Sequence, residues 1–266
     1  MTAIQSTLAL PELGRRTAVP GLARLYALET WYEFLKLLRQ PHYIGGVVGF
    51  PIMFYLLFGL SLGRGGSGPK ASEYLLASYS VFGVVTAALF AFGVGVSTER
   101  ASGWMLLKQA APLPTPVYLA AKVVTCMLFG GVIVALLALV GVTAGGVRFT
   151  GAEWAGLFAS VMLGCIPFCL FGLALGYVIP PAGAPGLVNL LNLPLAFAGG
   201  LWLPHEILPR PIQAIAPFVP QHHLGRLALS AVGLVPDAAA PHVAALAVAA
   251  VAGFVCAALA YRRAAR

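Results

Sequence analysis

The chain has 266 residues, of which 60% are hydrophobic and only 9% charged, and its mean hydropathy is +0.91. This composition supplies too little polar surface to cover a soluble globule, so lipid is expected to be the main solvent. The net charge of +8 fits cationic loops beside anionic headgroups, and because no nucleic-acid-binding motif accompanies it, nucleic acid is not an expected partner.

Apolar runs of about 20 residues match the length that a helix needs to cross a hydrocarbon core of about 30 Å. Backbone groups in lipid must be hydrogen-bonded within their own segment, so these runs are predicted to be helices. The predicted fold is therefore an all-α membrane protein with six transmembrane helices in a single transmembrane domain, residues 1–266. The spans lie at residues 44–63, 75–97, 123–145, 154–179, 186–203 and 243–261.

The segment before the first span, residues 20–41, carries polar side chains at helical spacing, among them Glu29, Glu33 and Lys36, beside a broad apolar surface. This two-sided pattern predicts an amphipathic helix that lies at the membrane interface. A general juxtamembrane anchor would show the same pattern. Residues 1–20 lack the apolar core of a signal peptide, so the first span is expected to anchor the chain.

Residues 98–116, between the second and third spans, interrupt the apolar sequence with charges, a glycine and three spaced prolines. Thr98 is a candidate N-cap for a short helix that reaches Gln109, and Pro112 then ends it. The pattern predicts a compact cytoplasmic knob. A plain loop that closes with proline fits the same residues.

Two motifs that are typical of enzymes are incomplete in this chain. In "GRGGSGPKAS", Pro69 separates the glycines from Lys70 and no strand precedes them, which argues against a phosphate-binding loop. In "HEILP", Pro209 stands where a zinc protease needs its second histidine. We therefore expect no catalytic residue, no cofactor and no metal in this chain, which is predicted not to be an enzyme.

The spans themselves offer little chemistry. All four cysteines lie inside spans, where a thiol behaves as a small apolar group and gives no disulfide framework. Ionisable residues that could carry a coupling proton are essentially absent from the spans. A transport function would therefore take its energy from another component.

The sequence after the fifth span is rich in proline, and residues 204–223 cannot form one continuous helix. The prolines of this external segment are Pro204, Pro209, Pro211, Pro217 and Pro220. Short broken helices are expected, in a re-entrant arrangement. Irregular backbone of this kind is tolerated at membrane depth only where it is buried in protein or lines a cavity.

Asn189 and Asn192 lie three residues apart in the fifth span, so they are expected on one helix face. An amide in lipid either bonds to a neighbouring helix or faces a cavity, and both interpretations stay open here. The second makes this face a substrate path, which would continue outward past Phe197, Trp202 and Glu206.

Three of these segments together resemble the ABC-2 type transporter permeases. In residues 98–116, the acidic-basic pair, the glycine, the turn "MLLK" and the later "YLAAK" are similar to the cytoplasmic coupling segment of that family, although Gln109 replaces a second basic residue. The stretch "AGGLWLPHEILPRPIQAIAPFVP" resembles its external re-entrant segment, and residues 20–41 its connecting helix. The resemblance implies an ATPase-coupling site made of Glu99, Arg100, Gly103, Trp104, Leu107 and Lys108.

The same resemblance implies the membrane subunit of an ATP-driven exporter in the drug or lipid branch. A separate nucleotide-binding subunit would hold ATP and Mg²⁺, and a second permease copy would complete a homodimer in contact with membrane lipid. The expected cargo is an amphiphilic drug, antibiotic or lipid. Polysaccharide export, or a non-ABC carrier or assembly protein, are the alternatives. Most of the 16 Lys and Arg residues flank the spans on the side of both termini, which places the termini in the cytoplasm of a bacterial inner-membrane protein.

Overall fold

The computed structural model of the protein describes residues 21–61, 69–104 and 115–264. These residues form helices of α, π and 3₁₀ type, and the described part of the chain contains no strand. The principal helices are α1 (Leu22–Leu38), α2 (Ile44–Gly59), α3 (Lys70–Ala101), α4 (Thr115–Thr143), α5 (Gly151–Gly164), α6 (Ile166–Val178), α7 (Ala184–Ala198), α8 (Arg210–Ile215), α9 (Pro220–Ala231) and α10 (Ala239–Ala264).

The predicted all-helical membrane fold is confirmed at this level. Four helical segments of the described chain are long and apolar enough to cross a membrane: α3, α4, α5 together with α6, and α10. Two more apolar helices, α2 and α7, are shorter. Within an apolar stretch of 18 residues in each helix, 94% of α3 is buried but only 28% of α10. The second predicted span is therefore the centre of the bundle, and the last lies at its periphery.

The fourth predicted span is divided in the structure. A capping box begins α5, since Thr150 accepts a hydrogen bond from the backbone N–H of Glu153 and the Glu153 carboxylate accepts one from Thr150. The helix ends at Gly164, and α6 begins beyond Cys165 with Pro167 in its first turn. Proline has no N–H to donate to the preceding turn, so it suits a helix start and breaks a continuous helix.

Glycine allows α6 to approach α3 closely. A Cβ atom on Gly176 would lie 2.5 Å from the backbone oxygen of Phe92, and one on Gly172 would lie 3.2 Å from the backbone oxygen of Ala88. These two glycines are four residues apart and therefore share one helix face. Small residues at this spacing let two helix backbones meet in a membrane protein, and here they do so within one chain.

Contacts between elements identify two ends of the bundle. At the first, Ser97 near the end of α3 donates a hydrogen bond of 2.6 Å to the carbonyl oxygen of Ile179, just after α6. At the opposite end, Tyr55 and Ser72 share a hydrogen bond of 2.6 Å, and Tyr74 donates one of 2.7 Å to the carbonyl oxygen of Gly200. We call the first the coupling end, because the predicted coupling segment begins there, and the second the far end.

The segment predicted to be external, residues 204–223, is broken as its prolines predict, and we keep the name external segment for it. It contains a 3₁₀ turn at His205–Ile207, the short helix α8, a second 3₁₀ turn at Ala216–Phe218 and the start of α9. Gln213 holds the first two parts together by donating a hydrogen bond of 2.7 Å to the carbonyl oxygen of Leu208. The segment lies at the far end of the bundle, where α9 packs against α3, α5 and α10.

Candidate functional site at the coupling end

The amphipathic helix α1 directs its charged side chains toward the protein. It packs along α4, and its Glu33 is only 5% exposed. Trp31 and Tyr32, on the opposite side, are 56% and 65% exposed. An aromatic surface with polar atoms at its edge suits the boundary between headgroups and acyl chains. The polar stripe of α1, from which the sequence predicts an interfacial helix, therefore faces the protein, and the aromatic side chains lie on the outer surface.

Five side chains meet where α1, α3 and α4 contact one another. We call this group the coupling cluster; its members are Glu33 and Lys36 of α1, Glu99 of α3, and Tyr118 and Lys122 of α4. The Lys36 ammonium lies 2.6 Å from the Glu33 carboxylate and 2.5 Å from that of Glu99. Lys122 lies 2.9 Å from Glu99 and also pairs with Glu33, while the Tyr118 hydroxyl donates to Glu99.

The coupling cluster is electrically balanced, with two ammonium groups and two carboxylates. The Lys122 side chain is 1% exposed, and an unpaired cation at such a site would cost several kcal/mol. Burial by itself would raise the pKa of Glu33, but the charges of Lys122 and Lys36 outweigh it and lower that pKa below its usual value. The Lys122 side chain and the two carboxylates are buried together, and Lys36, whose side chain is 37% exposed, reaches them from the surface.

Arg100 fastens the end of α3 to the end of α6. Its Nη1 donates a hydrogen bond of 2.9 Å to the carbonyl oxygen of Gly176 and another to that of Tyr177. The last carbonyls of a helix have no partner within the helix and carry its negative dipole end, so a guanidinium group is well suited to them. The Tyr177 ring also lies 5.7 Å from the guanidinium carbon.

The predicted helix start at Thr98 is wrong. Thr98 lies inside α3, and its hydroxyl donates 2.9 Å to the carbonyl oxygen of Val94, one turn earlier. The helix continues from the span to Ala101 and stops at Gly103, whose φ of +74° is a left-handed conformation that favours glycine. The helix α3 thus extends beyond its apolar run. The contacts of Glu99 with Tyr118 and Lys122 stabilise its final turn.

The next residue after this stop is Trp104. Trp104 is 57% exposed. The remaining predicted coupling residues, Leu107 and Lys108, lie outside the described residues. Of the predicted coupling set, the structure thus assigns Glu99 and Arg100 to contacts within the chain and leaves Trp104 at the surface.

The predicted path residues separate into different environments. Asn192 is completely buried, where it donates 2.9 Å to the Thr86 hydroxyl and accepts 3.0 Å from the Gln221 amide. Asn189 is exposed. The two asparagines do not face the same surroundings, since a shift of three residues in a helix rotates a side chain by about 60°.

Trp202 and Glu206 lie farther toward the far end, and Phe197 precedes them, half-buried, in the last turn of α7. The centroid of the Trp202 ring is 5.3 Å from that of Phe54 on α2. The same ring packs edge-on against Phe82 of α3. Glu206 is exposed and lies 3.2 Å from the Arg226 guanidinium. Only Asn192 and Trp202 therefore belong to the interior of the bundle.

Comparison with known proteins identifies the family of this chain. The family model described as ABC-2 type transporter matches residues 24–232, well over half of the chain. The chain belongs to the ABC-2 type transporter family. A relative from Bacillus subtilis (strain 168), described as "Putative transport permease YvfS", is 27% identical over 194 residues, which cover 73% of this chain and 79% of that relative. The protein is accordingly a multi-pass membrane transport permease, and the family implies an ATPase partner subunit in general.

Of the five members of this permease's coupling cluster, only Glu99 is among the predicted coupling residues. Sequence reasoning missed Lys36, Tyr118, the burial of Glu33 and its pairing with Lys122. A signal was present, since Lys122 lies four residues after Tyr118 and shares its helix face. Lys122 directly precedes the predicted third span, residues 123–145, and the structure includes it near the start of the apolar helical stretch Val117–Thr143.

Proposed function

We propose that this permease crosses the membrane six times and is the membrane subunit of an ATP-driven exporter. The two shorter helices support six crossings, because each connects the same two ends of the bundle as its longer neighbours. Tyr55 of α2 bonds at the far end, and Val188 of α7 lies beside Gly93 of α3. A separate nucleotide-binding subunit supplies ATP hydrolysis with Mg²⁺.

The coupling cluster is the observation that carries the proposal. In the predicted coupling segment Ser102 and Trp104 are exposed, and Glu99 is held by side chains of both α1 and α4. A displacement of the segment by the ATPase would therefore move three elements together rather than α3 alone. In this proposal the exposed Trp104 is part of the docking surface, and Glu99 and Arg100 transmit its motion.

The cargo is proposed to be an amphiphilic drug, antibiotic or lipid. Support comes from the interior between α3, α7 and the external segment, where aromatic rings lie beside buried polar groups. Within the described residues, the indole N–H of Trp202 and the side-chain oxygen of Gln221 are buried without a hydrogen-bond partner. Buried polar groups of this kind are rare, and a polar cargo atom would satisfy them.

A complete export path is proposed to need two copies of the permease in the bacterial inner membrane, with both termini cytoplasmic. Two faces support the dimer or contact with lipid: α4 exposes Leu128, Val132 and Leu139, and α10 exposes Val248 and Val251. Apolar side chains in this number need either lipid or a second protein surface.

The decisive experiment is purification of the tagged permease from its own host, a test for a co-purifying ATPase subunit, and transport by the resulting complex in proteoliposomes. We expect co-purification and ATP-dependent export of an amphiphilic substrate. Trp104→Ala should lower export per ATP hydrolysed while leaving the melting temperature unchanged. Phe218→Ala is the matched control, because Phe218 is 86% exposed at the far end. Failure of any ATPase to co-purify, or equal effects of both variants, would overturn the proposal.

A further inference from the structure

Four of the five histidines of the chain lie next to one another at the far end. They are His205 and His222 in the external segment, His223 at its end, and His242 in the first turns of α10. The rings of His223 and His242 are 5.3 Å apart between centroids. The coupling cluster lies at the opposite end of the bundle, on α1, α3 and α4, and plays no part in this arrangement.

The contacts of His223 and His242 fix where their protons must lie. The Nε2 atom of His223 is 2.8 Å from the carbonyl oxygen of Pro217, which can only accept a hydrogen bond. The Nε2 atom of His242 is 3.3 Å from the Asp237 carboxylate, which also accepts. From these contacts we assign a hydrogen to each Nε2.

The two Nδ1 atoms face each other at 3.0 Å, which is hydrogen-bond distance. A neutral histidine has one N–H, and in both residues Nε2 already holds it. Two neutral rings would consequently place two lone pairs against each other. One additional proton between the Nδ1 atoms turns that repulsion into an N–H···N hydrogen bond.

We propose that His223 and His242 form a proton-binding site, in which one shared proton joins the two Nδ1 atoms and fastens the external segment to the start of α10. The step is a simple protonation, with one proton taken from solvent and one positive charge gained. The paired rings hold this proton and return it to solvent as pH rises.

Charges of both signs lie around the pair. Asp237 lies against His242, and hydrogen bonds from Arg226 keep the pKa of Asp237 below its usual value, so it is ionised. Arg226 opposes the added proton, but its charge is already paired with Asp237 and Glu206. The nearby His222 is kept neutral, since burial and the neighbouring histidines lower its pKa to about 4.

A bound metal ion is the competing occupant, because each ring has its second nitrogen on an oxygen acceptor, as metal-bound histidines do. The described residues contain no group of three or more His, Cys, Asp or Glu side chains that could hold a metal ion. Two nitrogens alone make a poor site for a transition metal, which in proteins takes at least three ligands as a rule. The proton is thus the better fit to this pair.

The proposal is tested by the melting temperature of the purified permease between pH 5.5 and 8.5. A proton bound more tightly in the folded state stabilises below the unfolded histidine pKa of about 6.5, and the benefit disappears as pH rises through the pKa of the pair. For a shift of one pKa unit, wild type should lose about 2–4 °C more than His223→Gln or His242→Gln across this range. The double variant should lose no more than either single variant.

His205→Gln is the control, since it removes a histidine of the same group from outside the pair, and it should retain the wild-type pH dependence. A second measurement needs no variant: ¹⁵N-histidine NMR at pH 5.5 should show a coupling between the two Nδ1 nitrogens across the hydrogen bond. Equal pH dependence in wild type and both single variants, or absence of that coupling, overturns the proposal. Loss of the stabilisation on adding EDTA, or its increase with Zn²⁺, overturns it in favour of a metal.

Discussion

Lys122 is the most consequential single residue of the coupling end, because its buried charge is balanced by carboxylates on two other helices. Lys122→Met should lower stability by about 3–5 kcal/mol, since it leaves two carboxylates with one ammonium group in a buried site. The measurement is the melting temperature in detergent. If the double variant Glu33→Gln, Lys122→Met, which leaves one balanced pair, is not more stable than the single variant, the cluster is not held by charge balance.

Asn192 offers a matched pair with Asn189 at the same scale. Asn192→Ala should destabilise the permease by about 1–3 kcal/mol, because the Gln221 amide and the Thr86 hydroxyl lose their common partner. Asn189→Ala should have little effect, since Asn189 is exposed. Thermal unfolding of both variants checks the difference. Equal melting temperatures would contradict the structural role of Asn192, whereas altered substrate stimulation without a loss of stability would support a path role.

At the scale of helices, the contact between α3 and α6 depends on the absence of side chains. Gly176→Val should destabilise the fold by about 1–3 kcal/mol or more, because its Cβ would lie 2.5 Å from the backbone oxygen of Phe92 and the helices would have to separate. Gly186→Ala is the control, with nothing within 4 Å of the added atom, and it should be neutral or slightly stabilising. Unfolding temperatures of the two variants provide the comparison. A neutral Gly176→Val would show that α6 does not pack this closely.

The other important element is α1, whose orientation could not be read from its pattern. The spacing of Glu33 and Lys36 places them on one face, but the same spacing fits a face toward water and a face toward buried partners. Lys122 and Glu99 decide between them, and these residues are 89 and 66 positions from Glu33. The partner of a polar stripe is thus a tertiary fact.

For the whole molecule, we predict a complex of two permeases with two ATPase subunits. The exposed apolar faces of α4 and α10 are the surfaces through which two permeases could contact each other within the membrane. Native mass spectrometry of the purified complex should give a 2:2 composition, with a permease mass of 27.6 kDa. A composition with a single permease per ATPase pair would contradict the homodimer, although the family assignment would remain.

The sequence by itself determined the helical membrane fold, the family and the broken external segment. Long apolar runs permit only internally bonded helices in lipid, and proline removes hydrogen bonds wherever the chain folds. These are local constraints, so the residues that carry them need no distant partner.

Tertiary structure alone decided which side chains meet. It placed Glu33 against Lys122, brought Asn192 to Gln221 while leaving Asn189 outside, and paired His223 with His242. Periodicity defines which residues share a face, whereas the energy of a buried charge or amide depends on what lies opposite. In this permease those opposite groups come from helices far apart in the chain, and only their packing sets the charge balance of the coupling cluster.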